Sequence, residues 1–305
     1  MALRGIPVAV SVMVLLAGTA CIDLVSADNK YVEREEKRFP TSGTPDVSLS
    51  TFDGSIEIRA WDKPEVEVIV EKRAVDKEAA AAIEVRANQN GDRVTVDVKT
   101  QKMSGFGIHF NNRSAKLIVS APARSNIAAA SGDGSIDVAR IAGHLELRTG
   151  DGSIQGRDLN GDVRAHTGDG SIRLDGVNGA LDVDTGDGSV TASGRLTGVR
   201  VRTGDGSVTV HAGAGSAAET DWTITTGDGS VTLALPDGFN GELDAHTGDG
   251  RIHVNDITLS NVTGEIGRNT VRGRLGSGGR NVHVRSGDGS ITLRKSLSAE
   301  ANPSR

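Results

Sequence analysis

Through the second half of the chain, apolar residues alternate with polar ones on either side of a short glycine turn. Val163, Ala165 and Thr167 lead into one such turn, and Ile172 and Leu174 leave it. Period two predicts strands that bury one face. A third apolar point precedes a second glycine in each unit, at Ile141, Leu159 and Val177 ahead of Gly143, Gly161 and Gly179. Each unit therefore holds two or three short strands.

The turn itself repeats. Thr/Ser-Gly-Asp-Gly-Ser followed by Ile or Val occupies residues 131–136, 149–154, 167–172, 185–190, 203–208, 226–231 and 286–291. A variant with Arg251 starts at Thr247, and a degenerate early copy runs from Thr51 to Ile56. The aspartates Asp133, Asp151, Asp169, Asp187 and Asp205 stand 18 residues apart, and later spacings lengthen to 23, 21 and 39. A fixed period of about 20 residues is the mark of a solenoid. Glycine-flanked turns also make hairpins. Parallel stacking is preferred, because identical residue types return at one phase in every coil, as layers about 4.8 Å apart require. The glycines are expected to supply positive φ at each corner. Outward positions agree with stacking: Glu146, Arg164, Asp182 and Arg200 share a phase and alternate in charge, which fixes register more than it stabilises.

The fold expected is all-β, a parallel β-solenoid (β-helix-like) of 18–23-residue coils over residues 121–295, with an N-terminal β-rich capping portion over 45–120. Strands are expected at 47–60, 66–72, 94–100 and 115–120, and a short helix in the alanine-rich stretch 76–84. Residues 21–44 read as a linker and 296–305 as a disordered tail.

Composition agrees with stacked layers rather than a compact core of large side chains. Of 305 residues, 40 are glycine and 7 proline, with 3% aromatic. At the start, Arg4 and the apolar stretch 6–17 form a leader too short for a comfortable membrane span. It runs into Leu16-Ala17-Gly18-Thr19-Ala20-Cys21, which resembles a bacterial lipoprotein signal with Cys21 as the lipid-bearing residue. Val25-Ser26-Ala27 offers a competing cleavage site before Asp28. A leader left uncleaved as an anchor is the third route, and all three place the protein outside the cytoplasm, with a lipoprotein at the cell envelope, facing the periplasm or the cell surface, preferred. Cys21 is the single cysteine, so no internal disulfide forms. The net charge of −6 and the lack of a basic tract exclude nucleic acid as a partner.

Val47 to Ile56, Trp61-Asp62 followed by Val66-Glu67-Val68, Leu117 to Pro122, Gly273 to Gly276 and Ser286 to Ile291 together resemble the bacterial putative-adhesin family of β-strand repeat proteins, DUF4097, over about residues 45–295. The resemblance implies a parallel solenoid at the envelope and an adhesin label. It brings no catalytic residues.

Candidate chemistry is sparse. Asp133, Asp151, Asp169, Asp187 and Asp205 would form one column of like charges, which either stays solvated at the turns or takes up calcium. Thr149, Thr167, Thr185, Thr203, Thr226 and Thr247 would form an inward or corner hydroxyl ladder bonded along the stack. His166 and His246 share a phase but stand several layers apart, too far for a common metal. Phe106 to Phe110 is an apolar hairpin or a tip for a partner, and Trp61 and Trp222 read as core or cap residues. Some β-helices cleave acidic polysaccharides, but here carboxylates come one per coil and no Ser/His or Cys/His constellation is visible. The function expected is a non-catalytic adhesin-like or scaffolding surface, bound to the membrane through Cys21 and to a protein or glycan at the envelope. An envelope-stress sensor or scaffold in the periplasm is the alternative.

Overall fold

The computed structural model describes residues 31–100, 113–264 and 268–296. Its strands join one continuous hydrogen-bonded sheet that winds into stacked parallel layers. In the middle of the stack the coils follow chain order, and the strands flanking the Gly-Asp-Gly corners keep their register from layer to layer, with shifts only between Leu174 and Val177 and at Gly179–Ala180 where residues 172–185 meet 190–203. Leu145–Thr149 lies in register with Ile127 to Ser131 on one side and with Val163–Thr167 on the other. Beyond the corner, Ile154–Asn160 pairs in the same way with Ile136–Ala139 and with Ile172 onward.

Inward positions form apolar columns along the stack. One contains Ile136, Ile154, Ile172, Val190, Val208 and Val231, each at most 1% exposed. β-Branched residues suit this pleated, fully buried ladder, and each buried side chain contributes roughly 1.5–3 kcal/mol. Size alternates where it must. Gly156 stands between Val138 and Leu174 in register, and a Cβ there would lie 2.7 and 2.8 Å from Leu159 and Leu174 side-chain carbons. The missing side chain is the space those leucines fill. Trp222 is in register with Val282, which is followed in the column by Leu243; it is fully buried and packs edge-on against Phe239 at 5.0 Å.

The corner glycines act by a different cause from the one expected. In the regular repeats neither glycine of Gly-Asp-Gly lies in the positive-φ region. They are needed because the backbone of the next layer passes too close. A Cβ on Gly168 would lie 2.7 Å from the Gly150 carbonyl oxygen, and one on Gly170 only 2.1 Å from that of Gly152. The same approach lets the Gly168 N–H donate to the Gly150 carbonyl at 2.5 Å, a bond repeated from layer to layer. Positive φ is used instead at the opposite corner, by Gly143, Gly161 and Gly179.

At both ends the layers leave chain order. Asp46–Thr51 sits between Arg93–Thr100 and Asn126–Ser131, parallel to both. Ile56–Trp61 likewise sits between Ser114–Pro122 and Ile136–Ala139. At the far end, Asn281–Ser286 lies between Trp222–Thr226 and Gly241–Thr247, and Ile291–Lys295 between Val231–Leu235 and Ile252–Asn255. Residues 46–61, assigned from sequence to the cap, are thus a regular coil. The division expected near Ala121-Pro122 falls at the end of a strand that already belongs to a layer.

Antiparallel strands close the ends. Glu65–Ala74 covers Ser114–Pro122, and Tyr31–Pro40 covers Glu65–Ala74. Residues 31–40 therefore form a strand where a linker was expected. The reason is ionic: Lys72, nearly buried, contacts Glu33 and Glu35, while Glu71 receives Arg34 and Arg73. Ile83–Asn90 covers Arg93–Thr100. The expected helix is present as Lys77–Ala81, capped by Asp76, whose carboxylate accepts the Ala79 N–H at 2.7 Å. At the other end Thr270–Leu275 and Leu259–Gly264 extend the sheet from Gly241–Thr247. No helix among the described residues is long and apolar enough to cross a membrane.

Candidate functional site

The threonine before each turn is a corner latch. Thr167 is fully buried, and its hydroxyl donates to the Gly152 carbonyl of the preceding layer at 2.8 Å while accepting the Gly170 N–H of its own turn at 3.3 Å. Thr149, Thr185, Thr203, Thr226 and Thr247 make the same donated bond at 2.7–2.9 Å. Ser131 and Ser286 do so at 2.8 Å, and Thr51 continues the series at 3.0 Å to Ala115. The expected ladder is present, with hydroxyls bonded to backbone carbonyls rather than to one another.

The five aspartates Asp133, Asp151, Asp169, Asp187 and Asp205 are exposed at successive corners, one per layer. They do not converge with other ligands, and the described residues contain no group of three or more His, Cys, Asp or Glu side chains able to hold a metal ion. Asp53 extends the column. Burial and then the charge of Asp133 push its carboxyl above the usual aspartate value.

The outward charge column is also as expected: Glu146, Arg164, Asp182 and Arg200 are register neighbours. Arg164 pairs with Asp182 at 3.2 Å, whereas Glu146 turns to Arg148 of its own strand at 2.6 Å. His166 and His246 share a column but are separated in it by Asp184, Arg202, Thr225 and Arg285. Cys21 and the Phe106 to Phe110 segment lie outside the described residues.

Charge concentrates near the C-terminal end. Asp244 meets Arg285 at 2.7 Å and Arg272 at 3.3 Å, and the hydrogen bond from Arg285 chiefly holds its carboxyl below the ordinary range.

Two of the concavities among the described residues lie near opposite ends of the stack. One, of about 470 Å³, opens among the loops around Ser216, Asn240 and Arg280. The other, of about 280 Å³, lies at the N-terminal end and includes Thr41, Trp61, Asp62, Lys63, Pro64 and Pro122. The Trp61 indole N–H donates to the Glu65 carbonyl at 2.8 Å, which fixes the ring, and the Lys63 ammonium lies 4.6 Å from its centre. Trp61 is therefore a wall of a surface pocket, whereas Trp222 is core. The sequence signal for this was an aromatic in an aromatic-poor chain, followed directly by Asp62-Lys63-Pro64 in a turn.

Comparison with curated proteins returned no match. Among solved structures, a putative adhesin from Bacteroides fragilis is 12% identical, covering 85% of this chain and 96% of its own, with a TM-score of 0.45. A putative cell adhesion protein from Clostridium sporogenes is 13% identical over 87% of this chain and 99% of its own, with a TM-score of 0.27. A putative lipid binding protein from Parabacteroides distasonis is 13% identical over 85% and 96%, with a TM-score of 0.37. Similarity at this level assigns neither ligand nor activity. The family model described as Toastrack DUF4097 matches residues 45–294, the whole span from the first buried coil to the last, and the chain belongs to that family.

Proposed function

We propose that this protein is a non-catalytic, adhesin-like solenoid of the cell envelope, whose rigid outer faces offer a binding or scaffolding surface. The observation that carries this reading is the way the chain spends its polar chemistry. The repeated hydroxyls and glycines are consumed in joining layer to layer, and the repeated carboxylates stay in single file, so the recurring motif builds a frame rather than a reaction centre. Membership of the family fits the same role. Export follows from the leader, with a lipid on Cys21 as the anchor. The partner is a protein or glycan at the envelope.

Protease shaving of intact cells tests the surface role. Removal of the protein from intact cells is the expected result. Protection until the outer barrier is opened would instead favour the periplasmic sensor or scaffold. Mass spectrometry of the mature N-terminus tests the anchor: a diacylated Cys21 is expected, and Asp28 as first residue would refute it.

A further inference from the structure

We infer that the pocket at Trp61 is a binding site for a single neutral sugar ring. This rests on the surface-binding reading above and names the ligand class that one part of the surface takes.

The pocket combines two chemistries. Trp61, Pro64 and Pro122 give it stiff apolar walls, and Thr41, Asp62 and Lys63 give it a polar rim. A pyranose has the matching division, with an apolar face of C–H groups and hydroxyls around its edge. Trp61 presents a large amphipathic ring whose N–H is already satisfied by Glu65, leaving stacking as its remaining means of contact. Size points the same way. At about 280 Å³ the pocket falls just below the range of about 300–1,000 Å³ typical of drug-sized ligands, so it suits one ring rather than an extended molecule.

Charge narrows the class. Asp62 and Lys63 are adjacent and opposite in sign, so the rim carries no net charge to select an anion or a cation, while both can hydrogen-bond hydroxyls. The site is also held ready. Trp61 is in register with Pro122, the Thr41 N–H donates to the Pro64 carbonyl at 2.9 Å, and the Ser42 N–H donates to Asp92 at 2.8 Å. Three chain segments are thus tied together before any ligand arrives, which lowers the ordering cost of binding. Lys63 lies over the ring and must swing aside. Such an exposed cation–π contact is weak enough to yield.

The test is a fluorescence titration of the full chain with glucose, galactose, mannose and N-acetylglucosamine, with glucuronate and glucosamine as charged counterparts. Trp222 is fully buried, so a ligand-dependent change in emission or in quenching by iodide reports Trp61. At least one neutral sugar is expected to saturate in the millimolar range or below, to weaken at least about tenfold in Trp61→Ala, and to be partly restored in Trp61→Phe. No saturation by any neutral sugar, tighter binding of a charged counterpart, or equal binding by Trp61→Ala would overturn the assignment. Attachment of the same variants to whole cells separates this inference from the wider reading. Failed titration with attachment intact removes the pocket and keeps the surface role. Failed attachment with titration intact does the reverse.

Discussion

Replacing Thr167 by valine removes the corner latch while keeping its shape. The wild-type hydroxyl donates to the Gly152 carbonyl at 2.8 Å, with the Gly150 carbonyl a longer acceptor at 3.1 Å, and accepts the Gly170 N–H at 3.3 Å; the Gly150 carbonyl also accepts the Gly168 N–H, whereas the Gly152 carbonyl and the Gly170 N–H have no other hydrogen bond among the described residues. Stranding both would cost about 1–3 kcal/mol each, since a buried polar group left unpaired loses its full solvation. The added apolar methyl returns about 1 kcal/mol. The net loss is about 1–5 kcal/mol. Thr167→Ser gives the contrast, because serine keeps both bonds and loses only a buried methyl, for about 1 kcal/mol. Urea denaturation followed by circular dichroism gives the ranking. Hydrogen exchange at the Gly170 amide reports the corner itself, a useful complement because long repeat arrays depart from two-state unfolding. If packing governed the corner, the order would invert. A valine variant within about 0.5 kcal/mol of wild type, or a serine variant less stable than the valine one, would refute the latch.

Gly170→Ala should destabilise by about 3 kcal/mol or more, because its Cβ would sit 2.1 Å from a backbone oxygen that cannot give way, and the same denaturation assay checks it. Reversing both partners of Arg164–Asp182 should cost about 0.2–1 kcal/mol rather than nothing. The swap sets like charges beside Glu146 and Arg200, and a neutral swap would mean that the pair acts alone. Asp244 titrates below its ordinary value, so the stability it lends is present above the unfolded aspartate pKa of about 3.9 and is lost as pH falls through the lower folded value. Asp244→Asn should therefore weaken the C-terminal end at neutral pH and converge with wild type in strong acid, as followed by thermal melts across pH. For the corner column, calcium should raise the melting temperature no more than sodium chloride at matched ionic strength, since exposed single-file carboxylates are merely screened. A calcium-specific rise would restore them as ligands.

What the sequence disclosed follows from how local each signal was. Asp133 to Asp205, Thr149 to Thr203 and the Glu146 to Arg200 column kept a constant spacing, so stacking register was a matter of counting. The reason for the glycines was hidden, because a residue chosen for positive φ and one chosen for close approach are the same letter. Only the neighbouring layer tells Gly170 from Gly161. Tyr31–Pro40 was missed because its pairing uses Arg34 and glutamates against Glu71 and Lys72, and so lacks the apolar alternation by which strands are read. The displaced end layers were missed because Trp222 pairs with Val282 across about three repeat lengths, which no local pattern records. Trp61 was visible but ambiguous. Its exposure depends on where Pro64 and Pro122 come to rest beside it.

The placement of the last coil sets what truncation would do. In a winding that followed chain order throughout, losing the final residues would merely shorten the rod. Here Asn281–Ser286 and Ile291–Lys295 are ladder partners on both sides, so cutting the chain after residue 280 would open a slot one layer deep inside the molecule. Two unpaired strand edges would then face each other about 9–10 Å apart, twice the strand spacing. Each would be free to recruit a strand from another chain. Residues 241–255 would likewise lack their parallel partners in any chain that stops short of residues 281–295, leaving a sticky wound rather than a blunt end.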